Sequence, residues 1–138
     1  MTTQKMQGKC LCGAVTVSAS PNTHVEACHC SMCRRWSGGP LLAIHCGSDV
    51  QFTGKEQVGV YDSSEWAERG FCKQCGTHLF YRFKSADSYA IPAGLFEKQE
   101  QLALHEQIYI DSKPDYYAFA NNTPVLTEAE VLKRFGME

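Results

Sequence analysis

Nowhere in this 138-residue chain do apolar residues run for the roughly 20 positions that a membrane-crossing helix needs, so no helical span is expected. Basic runs are scarce too. Arg34 and Arg35 form the longest, and 13 Lys and Arg stand against 15 Asp and Glu for a net charge of −2. That balance argues against a nucleic-acid face built on phosphate neutralisation. The opening Met1 to Lys9 is polar and has no apolar h-region, so neither a secretion signal nor an anchor is expected, and the expected compartment is the cytoplasm. Internal repeats, low-complexity tracts and linkers rich in Pro, Gly or Ser are also missing, which leaves a single domain over residues 1–138 as the simplest organisation. With 43% hydrophobic residues, a chain of this size can bury a core without needing crosslinks merely to fold.

Cysteine is what the sequence has in quantity. Seven of its eight cysteines fall in three tight groups: Cys10 and Cys12, then Cys28, Cys30 and Cys33, then Cys72 and Cys75; Cys46 stands alone. A disulfide between neighbours two or three positions apart closes a very small loop and restricts the unfolded chain little. In a reducing compartment, clustered thiols more often hold metal. Two thiolates from one short turn reach a zinc ion with the backbone already bent, and two such turns complete a tetrahedron.

Short alternating or β-branched runs at Ala14 to Ser18, Leu41 to Cys46, Val58 to Tyr61, His78 to Phe83, Tyr89 to Pro92 and Gln107 to Ile110 predict strands. Turns are expected at Gly47-Ser48-Asp49, Thr53-Gly54-Lys55 and Asp111-Ser112-Lys113-Pro114. Helix is expected only near the end of the chain, where Thr127 caps a first turn, Glu130 completes a capping box and Gly136 stops it. Val131, Leu132 and Phe135 would form its one apolar stripe, packing the helix as a lid on the core. On this map Cys10-Leu11-Cys12-Gly13 precedes a strand and Cys72-Lys73-Gln74-Cys75-Gly76 lies between two. Each glycine after a pair would let the backbone turn with positive φ and aim amide N–H groups at the sulfurs.

A closed structural zinc takes four ligands, so seven clustered cysteines fill one site and leave three. The economical partition gives Cys10, Cys12, Cys72 and Cys75 to the closed site. Cys28, Cys30 and Cys33 then form a half-cage with a free corner, the arrangement of a catalytic metal. A ribbon of Cys30, Cys33, Cys72 and Cys75 is the competing partition, and it strands Cys28. Three thiolates around zinc leave a soft fourth position suited to a thiol from outside, which would be deprotonated there and could attack an aldehyde carbon. Arg34 and Arg35 follow at once and are candidates to bind the carboxylates of an anionic thiol.

The run Cys28-His29-Cys30-Ser31-Met32-Cys33-Arg34-Arg35, followed by Ser37-Gly38-Gly39-Pro40, resembles the signature of the glutathione-dependent formaldehyde-activating enzymes. Gly8-Lys9-Cys10-Leu11-Cys12-Gly13-Ala14-Val15, Phe71-Cys72-Lys73-Gln74-Cys75-Gly76-Thr77 and Ile110-Asp111-Ser112-Lys113-Pro114 are similar to that family's other landmarks, in the same order. The resemblance implies a mainly β, β-tent-like zinc fold of short twisted antiparallel sheets with a short C-terminal helix. It implies a structural zinc on Cys10, Cys12, Cys72 and Cys75 and a second, catalytic zinc on Cys28, Cys30 and Cys33, whose occupancy can vary between preparations. The implied activity is that of a carbon–sulfur lyase which joins glutathione and formaldehyde as S-hydroxymethylglutathione. The implied partner is a small thiol. A glutathione carrier without turnover, and a structural zinc module whose second cluster is closed by His29 or a water, are the alternatives. The chain reaches its first Cys-x-Cys sooner than the enzymes that gave the family its name, so contacts to the glutathione backbone are expected to be missing.

Several residues are expected to be unremarkable. His29, by alternation, should point away from the sulfurs as a satisfied histidine. Cys46 should be a small buried strand residue. Trp36, Tyr116, Tyr117 and Phe119 could wall a pocket, but aromatics at this density more often build core. Ser37-Gly38-Gly39-Pro40 reads as an ordinary turn. His24, His45, His78 and His105 show no spacing that suggests a cage.

Overall fold

The computed structural model describes residues 5–20 and 22–137, so most of the opening segment lies outside the described residues. Strands dominate. They are β1 (Met6–Lys9), β2 (Thr16–Ala19), β3 (His24–Cys28), β4 (Leu41–Gly47), β5 (Val50–Thr53), β6 (Val58–Tyr61), β7 (Ala67–Cys72), β8 (His78–Phe83), β9 (Ser88–Pro92), β10 (Ala103–Ile108) and β11 (Val125–Leu126). The two α-helices are α1 (Ser31–Ser37) and α2 (Glu128–Arg134). None of the described helices is long and apolar enough to cross a membrane. The chain groups into two compact units, one of residues 1–23 and 44–102, the other of residues 24–43 and 103–138.

In the first unit, β1, β2 and β5 form an antiparallel three-stranded sheet, with Val17 of β2 opposite Gly8 of β1 and Phe52 of β5. Strands β6 to β9 form an antiparallel meander, in which β7 pairs with β6 and β8, and β8 with β9. Inward-facing Val15, Val17, Ile44, Leu79 and Ile91 are fully buried. Each such side chain contributes about 1.5–3 kcal/mol on leaving water. Phe52, Phe80 and Tyr89 add a mutually tilted aromatic cluster with ring centroids 5.2–6.0 Å apart.

The second unit is built differently. Strand β10 runs parallel to both β3 and β11, with Gln107 opposite Ala27 and Val125. The antiparallel pairing implied by the family resemblance therefore describes the first unit, while these ladders are parallel. Thr127 and Glu130 close the expected capping box at the start of α2: Thr127 Oγ1 accepts from Glu130 N at 3.2 Å, and Thr127 N donates to Glu130 Oε1 at 2.8 Å. The helix rests on one residue more than on a stripe. Val131 is buried and Leu132 half-buried, but Phe135 is 52% exposed, which corrects the expected three-residue apolar face. Arg134 instead anchors the helix end through a bidentate pair with Glu106 at 2.9 and 3.1 Å.

Helix α1 was not expected from the sequence. Its seven residues are too few to show a helical period, and the Ser37-Gly38-Gly39-Pro40 stretch is where it ends: Gly38 takes φ of 82° and donates its N–H to Arg34 O at 2.8 Å. Strands β1, β3, β5, β7 and β11 were also unforeseen. Met6–Lys9 is too polar to alternate, and β7 carries Arg69, buried to 3% exposure over the Tyr81 ring, where an apolar residue would have marked a strand.

Candidate metal centres

The first unit brings together the sulfurs of Cys10, Cys12, Cys72 and Cys75, all within 4.8 Å of one another. Cys10 follows β1, and Cys72 is the last residue of β7, so both are fixed and fully buried; Cys12 is exposed and Cys75 half-buried on the turns that follow. The two turns repeat one geometry. Gly13 and Gly76 each adopt φ of 81°, as expected of the residue after each hook. Backbone donors reach the sulfurs, with Val15 N at 3.4 Å from Cys10 Sγ. Thr77 links the two hooks: its hydroxyl accepts from Leu11 N at 3.1 Å and lies 3.1 Å from Cys75 Sγ. Thr77 carries no ligand chemistry of its own, so nothing in the residue pattern singled it out.

Whether these donors fit a zinc ion can be judged from their spacing. Sulfurs 2.3 Å from a tetrahedral centre stand about 3.8 Å apart. The separations are 3.6 Å for Cys10 to Cys12 and 3.8 Å for Cys12 to Cys72, and all eight cysteines are free of disulfides. Proton affinities within the cluster diverge. The hydroxyl of Thr77, then the backbone N–H groups of Thr77 and Cys12, lower Cys75 to about 5. At Cys12 the Ala14 N–H pulls downward, but burial and the competing sulfurs prevail and push the thiol up to about 12. Four thiols this close cannot all shed protons without a cation, and a divalent ion supplies one.

The second unit holds the other group, Cys28, Cys30 and Cys33, whose sulfurs also lie within 4.8 Å of one another. Their convergence is local. Cys28 ends β3, Cys30 caps α1 and Cys33 sits in its first turn, so the change from strand to helix folds three sulfurs six residues long in sequence onto one point. Cys30 Sγ accepts from Cys33 N at 3.3 Å. Hydrogen bonds from Cys28, then Cys33, hold Cys30 well below the usual thiol range, while those from Cys30, then Cys33, drive Cys28 upward. The strand that delivers them is pinned by His29 N to Ile108 O at 3.1 Å.

Arg34 and Arg35 separate on α1. Arg35 is exposed, whereas Arg34 is half-buried with its Nε covered and unpaired. His29, between two of the sulfurs in sequence, is fully buried. Its Nδ1 lies 2.7 Å from Tyr117 Oη and its Nε2 2.9 Å from Gln107 Oε1, and Gln107 Nε2 donates to Thr123 Oγ1 at 3.1 Å. Burial lowers its basicity, as Gln107 raises it and the Lys113 charge lowers it further. With both nitrogens engaged, His29 does not close the three-sulfur group, which corrects that alternative and agrees with a satisfied histidine. Tyr117 and Phe119 flank its ring at 5.5 and 5.9 Å, and Tyr116 is 73% exposed, so these aromatics are not core. Lys113 Nζ donates to Pro114 O and Tyr117 O and lies 5.2 Å over the Tyr117 ring. Gln107, Lys113 and Thr123 were not foreseen, because each gains its place only from pairing of distant segments.

Elsewhere Cys46 is buried in β4, its thiol pushed up to about 11 by burial, as expected of a small core residue. His24 and His105 stack at 4.1 Å without joining a ligand group. Among the described residues, the two cysteine clusters are the groups able to hold a metal.

Comparison with known proteins agrees with this geometry. An uncharacterised lyase of Schizosaccharomyces pombe is 40% identical over 129 residues, covering 92% of this chain and 94% of its own. A Halomonas elongata protein described as a putative glutathione-dependent formaldehyde-activating enzyme is 32% identical over 85 residues, 54% of each chain. The crystal structure of a Rhodobacter sphaeroides protein matches with a TM-score of 0.58 and 28% identity, covering 67% of this chain and 88% of that one. Residues 5–112 match the family described as glutathione-dependent formaldehyde-activating enzyme, and that span holds all seven clustered cysteines. The chain belongs to the glutathione-dependent formaldehyde-activating enzyme family.

Proposed function

We propose that this protein is a zinc-dependent carbon–sulfur lyase, acting in the synthetic direction on glutathione or a similar small thiol and on formaldehyde or a related aldehyde. One observation carries the reading: three sulfurs converge in the second unit, one short of the four that the first unit gathers. On this reading Cys10, Cys12, Cys72 and Cys75 hold a structural zinc, and Cys28, Cys30 and Cys33 hold a second. That second ion would supply Lewis acidity, favouring the thiolate form of a thiol beside it.

The chain's own groups do the rest. Arg34, half-buried with a covered and unpaired Nε, is placed to bind a carboxylate of the thiol by charge-assisted hydrogen bonds, whereas exposed Arg35 is solvated. Held there, the thiol's sulfur is directed at the aldehyde carbon. A sulfur–carbon bond forms, the carbonyl π pair moves to oxygen, and the proton lost by sulfur is balanced by one gained at that oxygen. The product is a hydroxymethyl thioether. Its breakdown reverses each step. The reading treats residues 1–138 as one domain, because the chain passes between its two units three times, and places it in the cytoplasm, where glutathione is abundant and thiols stay reduced.

The test is adduct formation from glutathione and formaldehyde, followed by NMR with zinc-loaded protein. Acceleration over the uncatalysed rate is expected, with loss in Cys30→Ser. Calorimetric binding of glutathione with no acceleration would establish a carrier instead, and absence of both would defeat the reading.

A further inference from the structure

Three sulfurs act as one ligand set only while the backbone between them holds still, and a single residue joins the strand that ends at Cys28 to the helix that Cys30 caps. That joint is His29. Its N–H donates to Ile108 O at 3.1 Å, and its fully buried ring is held at both nitrogens: Nε2 stands 2.9 Å from Gln107 Oε1 and Nδ1 2.7 Å from Tyr117 Oη. Turning the backbone at His29 would carry a neighbouring sulfur off the shared point and pull the ring out of these contacts. Gln107 is itself held from both sides. It lies on β10 between the parallel partners β3 and β11, opposite Ala27 and Val125. Its N donates to Pro124 O and its Nε2 to Thr123 Oγ1, each at 3.1 Å, and the residue is buried. An apolar side chain would fill this interior position without the cost of burying an amide, but only the amide gives direction. What the contacts fix is where the ring sits, and with it the main chain of Cys28 and Cys30.

We propose that Gln107 is a positioning residue for the three-cysteine group: through the buried ring of His29 it holds Cys28 and Cys30 at the mutual spacing that one metal ion requires. The Thr123 hydroxyl orients its amide in turn. The inference rests on the reading of Cys28, Cys30 and Cys33 as a zinc group and deepens it. Donors fixed in advance lose less freedom when an ion binds, and residues that orient ligands from outside commonly set metal affinity by about 10–100-fold.

Zinc competition with a chromogenic chelator, run on the full-length, zinc-loaded protein, reads the affinity of each cysteine group; the step missing in Cys30→Ser belongs to the second. Gln107→Leu is expected to weaken that step about tenfold and leave the first group's affinity as it was. Cobalt(II) placed in the second group of this variant is expected to show shifted ligand-field bands, which report donor geometry rather than stability. Thr123→Val should weaken zinc there about threefold, and Thr123→Ser, which keeps the hydroxyl, should restore it. Thr127→Ala, which removes a helix cap in the same unit, is expected to leave the second group unchanged. Wild-type affinity and cobalt bands in Gln107→Leu overturn the inference, as does an equal loss in Thr127→Ala, which would mark a general loosening of the unit. If Gln107→Leu does not fold, equal affinities in Thr123→Val and Thr123→Ser overturn it instead. Should the affinities fall as expected while the wild type neither binds glutathione nor accelerates adduct formation, the inference stands and the lyase reading fails. If the wild type holds no second zinc, both fail together.

Discussion

The two units of this protein gather sulfur in opposite ways. In the first, hooks 60 residues apart in sequence meet where strand ends turn, in a unit whose buried residues include Val, Ile, Leu and Phe. In the second, one segment of strand, cap and helix collects its three sulfurs locally, beside a buried His29 and Gln107 where apolar side chains would otherwise stand. An ion joining the distant hooks removes far more freedom from the unfolded chain. Loop-closure entropy puts the difference between a 60-residue and a three-residue loop at about 2.7 kcal/mol. The local cluster restricts little, so an ion held there would contribute little to folding. Polar burial fits this division: the network around His29 fixes directions, which an apolar core does not.

This contrast can be broken most severely at the first cluster. Cys72→Ser is expected to cost about 4 kcal/mol or more, lowering Tm by roughly 15 °C, since it breaks the long-range closure and leaves buried sulfurs without their ion. Thermal unfolding with and without a chelator checks it, and a Tm within a few degrees of wild type would mean the two clusters do not differ in kind. The matching change in the second cluster, Cys30→Ser, is expected to reduce the zinc content from two ions to one and abolish the response to glutathione. Its Tm should move by less than about 5 °C. Metal analysis on freshly purified protein reads this directly.

A finer distinction lies between the adjacent arginines. Arg34→Gln is expected to weaken glutathione binding about tenfold or more, the scale of a lost charge-assisted hydrogen bond, while Arg35→Gln leaves it within about twofold. Equal effects would show that burial on α1 does not select the anchor. Smallest is Thr127→Ala, which removes the cap of α2 and should cost about 1 kcal/mol with both zinc ions retained. Calorimetric melting alongside metal analysis separates that local loss from any disturbance of the clusters.

Much of this was legible in the sequence. The strands Val58–Tyr61 and His78–Phe83 have their expected bounds, and α2 has its expected capping box, because each is signalled by residues next to one another. The sorting of seven cysteines into four and three followed from counting ligands, and the fold groups them that way. Helix α1, strand β3 and the parallel ladders of β10 were not legible. Seven residues hold too few turns to show a period, and His24–Cys28 reads as a strand only once β10 lies beside it.

What the sequence determined by itself is the chemistry of the donors: which thiols come in pairs or triplets, where glycine lets the chain turn under them, and that one set falls a ligand short. Only tertiary structure decided which neighbours complete each site. It set Arg34 apart from Arg35, took both nitrogens of His29 out of use, and brought Gln107, Thr123 and Tyr117 into one line of hydrogen bonds. The reason is range. Ligand type and turn chemistry are encoded within a few residues, whereas burial and the direction of a hydrogen bond depend on segments that meet from 78 and 88 positions away.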